Sequence, residues 1–171
     1  MQRLLRVVRL LSVVLWIGGL SFFAFVLAPI AFGRLASTHE AGLVVGGTLN
    51  VLHWMGLVCG GAFCVATGIL WLRAAVFART GFVVELVLMA VMLGVTAYSQ
   101  FSILPTMERD RVAAGGDVKA AAADNAGRVD FERLHGLSEK LEGLVFFCGL
   151  GVVFMLTREP EVGDLGKVAV R

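Results

Sequence analysis

The chain is short of charge. Asp, Glu, Lys and Arg make up 16% of its 171 residues, where a soluble domain carries roughly a quarter. Net charge is only +2, which gives no polybasic surface for nucleic acid. Cysteine is scarce too. Cys59, Cys64 and Cys148 all lie inside apolar runs, with no CxxC spacing and no disulfide framework. Cys59 and Cys64 are five residues apart, so a helix points them in different directions. There is no P-loop and no GxGxxG after a strand. There is no HExxH, and no GxSxG in a strand–turn–helix context. Nucleotide-driven, zincin and hydrolase chemistries therefore have no motif to rest on.

What fills the space is apolar: 58% of the residues, gathered in long runs. A bilayer-spanning helix needs about 20 such residues. Four segments meet this: Leu10 to Phe32, Val44 to Leu72, Phe82 to Leu104 and Leu134 to Thr157. The first follows Arg3, Arg6 and Arg9 like a signal peptide, but a signal core is about 7–15 residues long, and this run continues to Phe32. It reads as a retained span. The expected fold is all-α, an integral membrane up-down-up-down four-helix bundle over residues 1–157. A connection at about 105–133 would lie outside the membrane. "PTMERDRVAA" would extend the third helix, Gly115 and Gly116 would break it, and "DVKAAAADNAGRVDFERL" would be helical up to the fourth span. Residues 158–171 read as a loose tail.

Short-loop Lys and Arg set orientation. Arg3, Arg6, Arg9, Arg73, Arg79, Arg158, Lys167 and Arg171 fall on one side, against Arg34 in the opposite short loop. Both termini are expected in the cytoplasm, and the long loop outside. Gly42/Gly46, Gly56/Gly60 and Gly18–Gly19 suit close helix packing. Internal packing is the first reading, and a homo-oligomer interface the second.

Three helices carry polar stripes at three- and four-residue steps. The second has Asn50, His53, Leu57, Gly60, Cys64 and Thr67. The third has Glu85, Met89, Met92, Thr96 and Ser99, with Gln100 beside them. The fourth has His135, Ser138, Glu139, Glu142 and Gly149. A charge at the bilayer centre costs about 2.5–3.5 kcal/mol on the insertion scale, so the stripes should face one another or a water-filled cleft. At 1.5 Å per residue, His53, Gln100, His135 and Glu142 share the outer half of the bundle. An outward-facing polar cavity is the expectation.

Several occupants suit these residues. A metal site would use His53, His135 and Glu142, with Glu139 a further oxygen donor. Met55, Met107 and Cys59 would add soft ligands suited to copper. A haem b site would use His53 and His135 as axial ligands. A small ligand would meet Asn50, Gln100, Ser138, Glu139 and Glu142. The plain structural alternative has His53 bonded to Asn50 or a facing Ser, and the acidic groups at a wet helix start. Glu85 would snorkel or pair with Arg73 or Arg79, and Met89 and Met92 would pack. His39 would be a solvated loop residue.

"LWIGGLSFFAFVLAPIAF", "LNVLHWMG", "YSQFSILPTMERDR" and "FERLHGLS", taken in order, resemble domain-of-unknown-function family 4149. That family is related to the vertebrate transmembrane protein 205. The "WIGG" helix with "AP" also resembles the first membrane helix of copper-resistance D proteins, with a further relation conceivable to a four-helix haem-binding protoporphyrinogen oxidase family. The first resemblance implies a four-helix inner-membrane protein without established chemistry, and the second implies copper or transport. Carried over by motif are Trp16, Gly18, Gly19, Pro29, His53, Pro105, His135 and Ser138. The chain departs from the copper-resistance pattern in having no histidine in its first span. It departs from the unknown-function family in having Glu142 where that family has Asn. The first functional reading is a membrane protein that binds or moves a metal ion or small ligand. The others are a haem-dependent oxidoreductase and a scaffold subunit without a ligand.

Overall fold

The computed structural model describes residues 1–73 and 79–157. The tail at 158–171, with Arg158, Lys167 and Arg171, and the Arg79 side chain lie outside the described residues. Four long helices are seen among the described residues, each apolar enough to cross a membrane, with mean hydropathy of 1.7 to 2.4. Helix α1 runs Gln2–Phe22, passes through a π-helical turn Phe23–Leu27, and continues Ala28–Arg34. Helix α2 is Thr38–Arg73. Helix α3 runs Arg79–Tyr98, through a second π turn Ser99–Ile103, to Leu104–Ala113. Helix α4 is Ala126–Thr157. Each packs on the next, and α1 packs on α4, which closes an antiparallel bundle.

The two π turns have one cause. Proline lacks an N–H, and its ring collides with the carbonyl four residues earlier. For Pro29 and Pro105 those carbonyls belong to Phe25 and Phe101, inside the two widened turns. Bonding shifts to a five-residue step: Ala28 N–H donates to the Phe23 carbonyl and Leu104 N–H to that of Ser99. An inserted residue of this kind re-aims the side chains around it. In α3 the widened turn holds Ser99, Gln100 and Ile103 buried.

The links are tighter than the apolar runs suggest. Between α1 and α2 only residues 35–37 are non-helical, because Ser37 caps α2: its Oγ accepts the Glu40 N–H at 3.1 Å. At the long connection, α3 extends to Ala113 as expected, and Gly115 and Gly116 end it with φ of +91° and +93°. The alanine-rich stretch after them is not helical until Ala126, which corrects the expectation from propensity. Local caps win instead. The Asp117 carboxylate accepts the Lys119 N–H at 3.0 Å, Asn125 Oδ1 accepts the Arg128 N–H at 3.1 Å, and Arg128 Nη1 donates to the Ala121 carbonyl at 2.8 Å.

The dry core fills the half nearer the termini. Val13, Trp16, Ile17, Leu20, Phe63, Met89, Met92, Val145 and Val152 form it. Met89 and Met92 are thus packing residues. Trp16 lies in a slot made by two glycines: a Cβ on Gly56 would sit 2.4 Å from the indole, and one on Gly60 would sit 2.8 Å from it. Gly19 and Gly149 are also filled closely, by Met55 and by Ile17. Gly18, Gly42 and Gly46 face open space. The half nearer the 35–37 and 114–125 links (the loop end) is packed differently, around a cavity.

Candidate functional site

His53 sits where the dry core meets that cavity. It is 1% exposed. Its Nε2 lies 2.7 Å from Glu142 Oε1, and its Nδ1 lies 3.1 Å from Gln100 Oε1. With the amide in this orientation both ring nitrogens point at oxygens, the pattern of an imidazolium. With the amide turned over, Nδ1 accepts from Gln100. Either way Nε2–H donates to Glu142, and three helices are tied by one ring. The Pro105-driven π turn aims Gln100 at it. The expected link from His53 to Asn50 or a Ser is replaced by these longer-range partners.

Glu142 uses only one of its oxygens this way. Oε2 is buried without a hydrogen-bond partner among the described residues, as are the hydroxyls of Thr96 and Ser99. Glu142, Gln100, Asn50 and Ser138 line a cavity of about 1260 Å³ that reaches the loop end. Most of its wall is apolar: Phe23, Phe25 and Phe32 from α1, Leu43 and Gly46 from α2, Phe146 and Phe147 from α4. The polar groups form a patch in it rather than its lining.

His135 and Glu139 also border the cavity, yet they do not join His53. His135 Nε2 lies 3.3 Å from Glu139 Oε1, their side chains are 48% and 70% exposed, and the ring stacks on Phe131. The reason is axial rise. His135 is seven residues before Glu142, about 10 Å nearer the helix start, so a shared helix face does not bring the imidazoles together. No group of three or more His, Cys, Asp or Glu gathers as a metal site among the described residues, so His53, His135 and Glu142 are not one ligand set. Trp16, Gly19, Pro29 and Pro105 shape the frame, through the indole slot and the two π turns. His39 is partly buried and borders the cavity mouth.

A second buried polar centre lies at the other end of the bundle. Arg9 and Glu85 form an ion pair, with both side chains nearly inaccessible. The Arg9 guanidinium is 5.2 Å from the Phe63 ring centroid and 5.1 Å from that of Phe82. Glu85 was expected near Arg73 or Arg79; its ion pair with Arg9 joins α3 to α1. Arg9 was assigned to the flanking charge that sets orientation. The signal was present in the spacing of Arg9, Ser12, Val13, Trp16, Ile17 and Leu20, the buried residues of α1, which is one helical face that starts with the arginine.

A closed antiparallel bundle of four helices, each long and apolar enough to cross a membrane, defines a polytopic membrane protein. The chain belongs to the family described as Domain of unknown function (DUF4149), whose model matches residues 11–114. That match covers most of α1, α2 and α3, with His53 and Gln100, while α4 and Glu142 lie beyond it. No curated protein and no solved structure matches the chain closely enough to add a relative.

Proposed function

We propose that this protein binds a small organic ligand in the loop-end cavity and passes it between the membrane and the space beyond. The observation that carries this reading is Glu142: one carboxylate oxygen is anchored by His53, and the side chain, still 16% exposed, lines a cavity of about 1260 Å³. Ligand sites are concave, mostly apolar, and carry a few placed polar groups. His53 and Gln100 orient the carboxylate, and Asn50 and Ser138 flank it. The metal reading is less well supported, because both ring nitrogens of His53 are engaged and His135 is turned to Glu139. The same engagement leaves His53 no free lone pair for a haem iron. The excess of Arg3, Arg6 and Arg73 at the termini end over Arg34 at the other supports a cavity that opens away from the cytoplasm.

The test is the content of protein purified from its membranes. Extracts of wild type, Glu142→Gln and Gly46→Trp are compared by mass spectrometry, with elemental analysis of the same samples. Gly46 faces open space on the cavity wall, so tryptophan there fills the cavity without parting helices. The expected result is a stoichiometric small molecule in wild type that both variants lose. Identical organic content in all three would refute the reading. A stoichiometric metal lost on His53→Ala would replace it with the metal site.

A further inference from the structure

The cavity has a thin side wall between α1 and α4. Phe25 and Phe147 line it, yet they are 72% and 71% exposed on the outer surface of the bundle. A side chain that meets both spaces is a wall one residue thick. Phe146 stands between them, 6.3 Å from the Phe25 ring and 5.8 Å from that of Phe147, edge to face in both contacts. None of the five residues of the α1 π turn is buried, so this part of the wall carries little packing.

The depth of this cleft matters. Phe25 lies seven residues inside the end of the first apolar run, and Glu142 eight residues inside the start of the fourth. At 1.5 Å per residue these are about 10 and 12 Å, so the thin wall and the carboxylate stand at one level, within the hydrocarbon. The charges nearer the loop end have partners: Arg111 with Glu108 at 2.6 Å, Lys119 with Glu132 at 3.8 Å, His135 with Glu139, and Asp117 with the Lys119 and Ala120 N–H groups. Glu142 lines the cavity deeper along α4 than these groups.

We propose that the ligand is a lipid-borne amphiphile with a cationic or hydrogen-bond-donating head, which enters between α1 and α4 and seats its head on Glu142. This rests on the cavity reading above and adds the ligand's class and its route. The head must donate, because a carboxylate on the cavity wall offers acceptors. The rest must be apolar, because the walls are. The route is lateral, because Phe25 and Phe147 bound the cavity on the side that faces acyl chains.

The experiment uses the full chain in phosphatidylcholine nanodiscs, with empty nanodiscs as background. The probe is radiolabelled dodecylamine with a diazirine at its tail end, set against dodecanoate of the same tail and butylamine of the same head. Saturable dodecylamine binding is expected, with photoadducts on the peptides that hold Phe25 and Phe147. Dodecanoate and butylamine should bind at least tenfold more weakly. Glu142→Gln should weaken the amine about tenfold or more, as loss of a charge-assisted bond does. The glutamine carbonyl still accepts from His53, and Glu142→Asp, which keeps the charge, should fall between the two. Equal binding of dodecanoate, or an amine site indifferent to both Glu142 variants, overturns the assigned head. Adducts confined to the loop end overturn the route. In each of those cases Gly46→Trp would still abolish binding, and the cavity reading would stand. Binding that survives Gly46→Trp overturns the cavity reading itself.

Discussion

Replacing Gly56 by alanine should loosen this bundle without touching its polar site. In lipid there is little hydrophobic drive between helices, so close packing holds them. The Trp16–Gly56–Gly60 slot is the tightest such contact between α1 and α2. An alanine Cβ at 56 would lie 2.4 Å from Cε2 and Nε1 of Trp16 and 2.9 Å from Cζ2, where carbon contacts settle at about 3.5–4.0 Å. The overlap exceeds an ångström on two atoms of a rigid ring and is about half that on a third. Trp16 is 1% exposed and boxed in by core side chains, so α1 must back away from α2. Overpacking of this kind costs about 1–3 kcal/mol. Unfolding in mixed detergent micelles, followed by circular dichroism, would measure it. Gly61→Ala is the control, since its Cβ would meet nothing within 4 Å. Trp16→Leu should recover part of the loss in the Gly56→Ala background, a coupling that a double-mutant cycle reads directly. The packing argument is refuted if Gly56→Ala matches Gly61→Ala to within about 0.5 kcal/mol. It is also refuted if the change acts on oligomeric state alone, as an interface between copies would require.

Arg9→Met should destabilise by about 3–5 kcal/mol, the range for breaking a buried ion pair; unchanged stability in the same assay would mean the Arg9–Glu85 contact contributes nothing in a membrane. Pro105→Ala removes the cause of the second π turn, so α3 should regularise and turn Gln100 away from His53. The His53 ring nitrogen resonances in a nitrogen-labelled sample should move, while those of His135 stay. Gly116→Ala should cost about 1–2 kcal/mol through its φ of +93°, and Gly136→Ala, in open helix, should be neutral or mildly stabilising.

The polar stripes foreshadowed the site in part. His53, Gln100 and Glu142 do converge, and helical periodicity with the cost of charge in lipid was enough to point all three inward. Periodicity does not fix axial position: His135 borders the same cavity but stands about 10 Å from Glu142 along α4, so it does not meet His53. Propensity failed for the Ala-rich link, where two side-chain caps outweighed it. Arg9 lies at the termini end where the charge pattern puts it, but its burial becomes visible only when a partner 76 residues away stands opposite it.

The sequence by itself determined that this chain is four apolar helices, since a bilayer admits few other forms for runs this long. It also determined which faces turn inward, since hydrocarbon penalises every alternative. Only the tertiary structure decided that the loop-end half holds a largely apolar cavity with Glu142, Gln100, Asn50 and Ser138 on its wall. That depends on two prolines widening two turns, and on glycines that let Trp16 close one half of the bundle while the other half stands apart. These are matters of how surfaces meet, and no single helix carries that information.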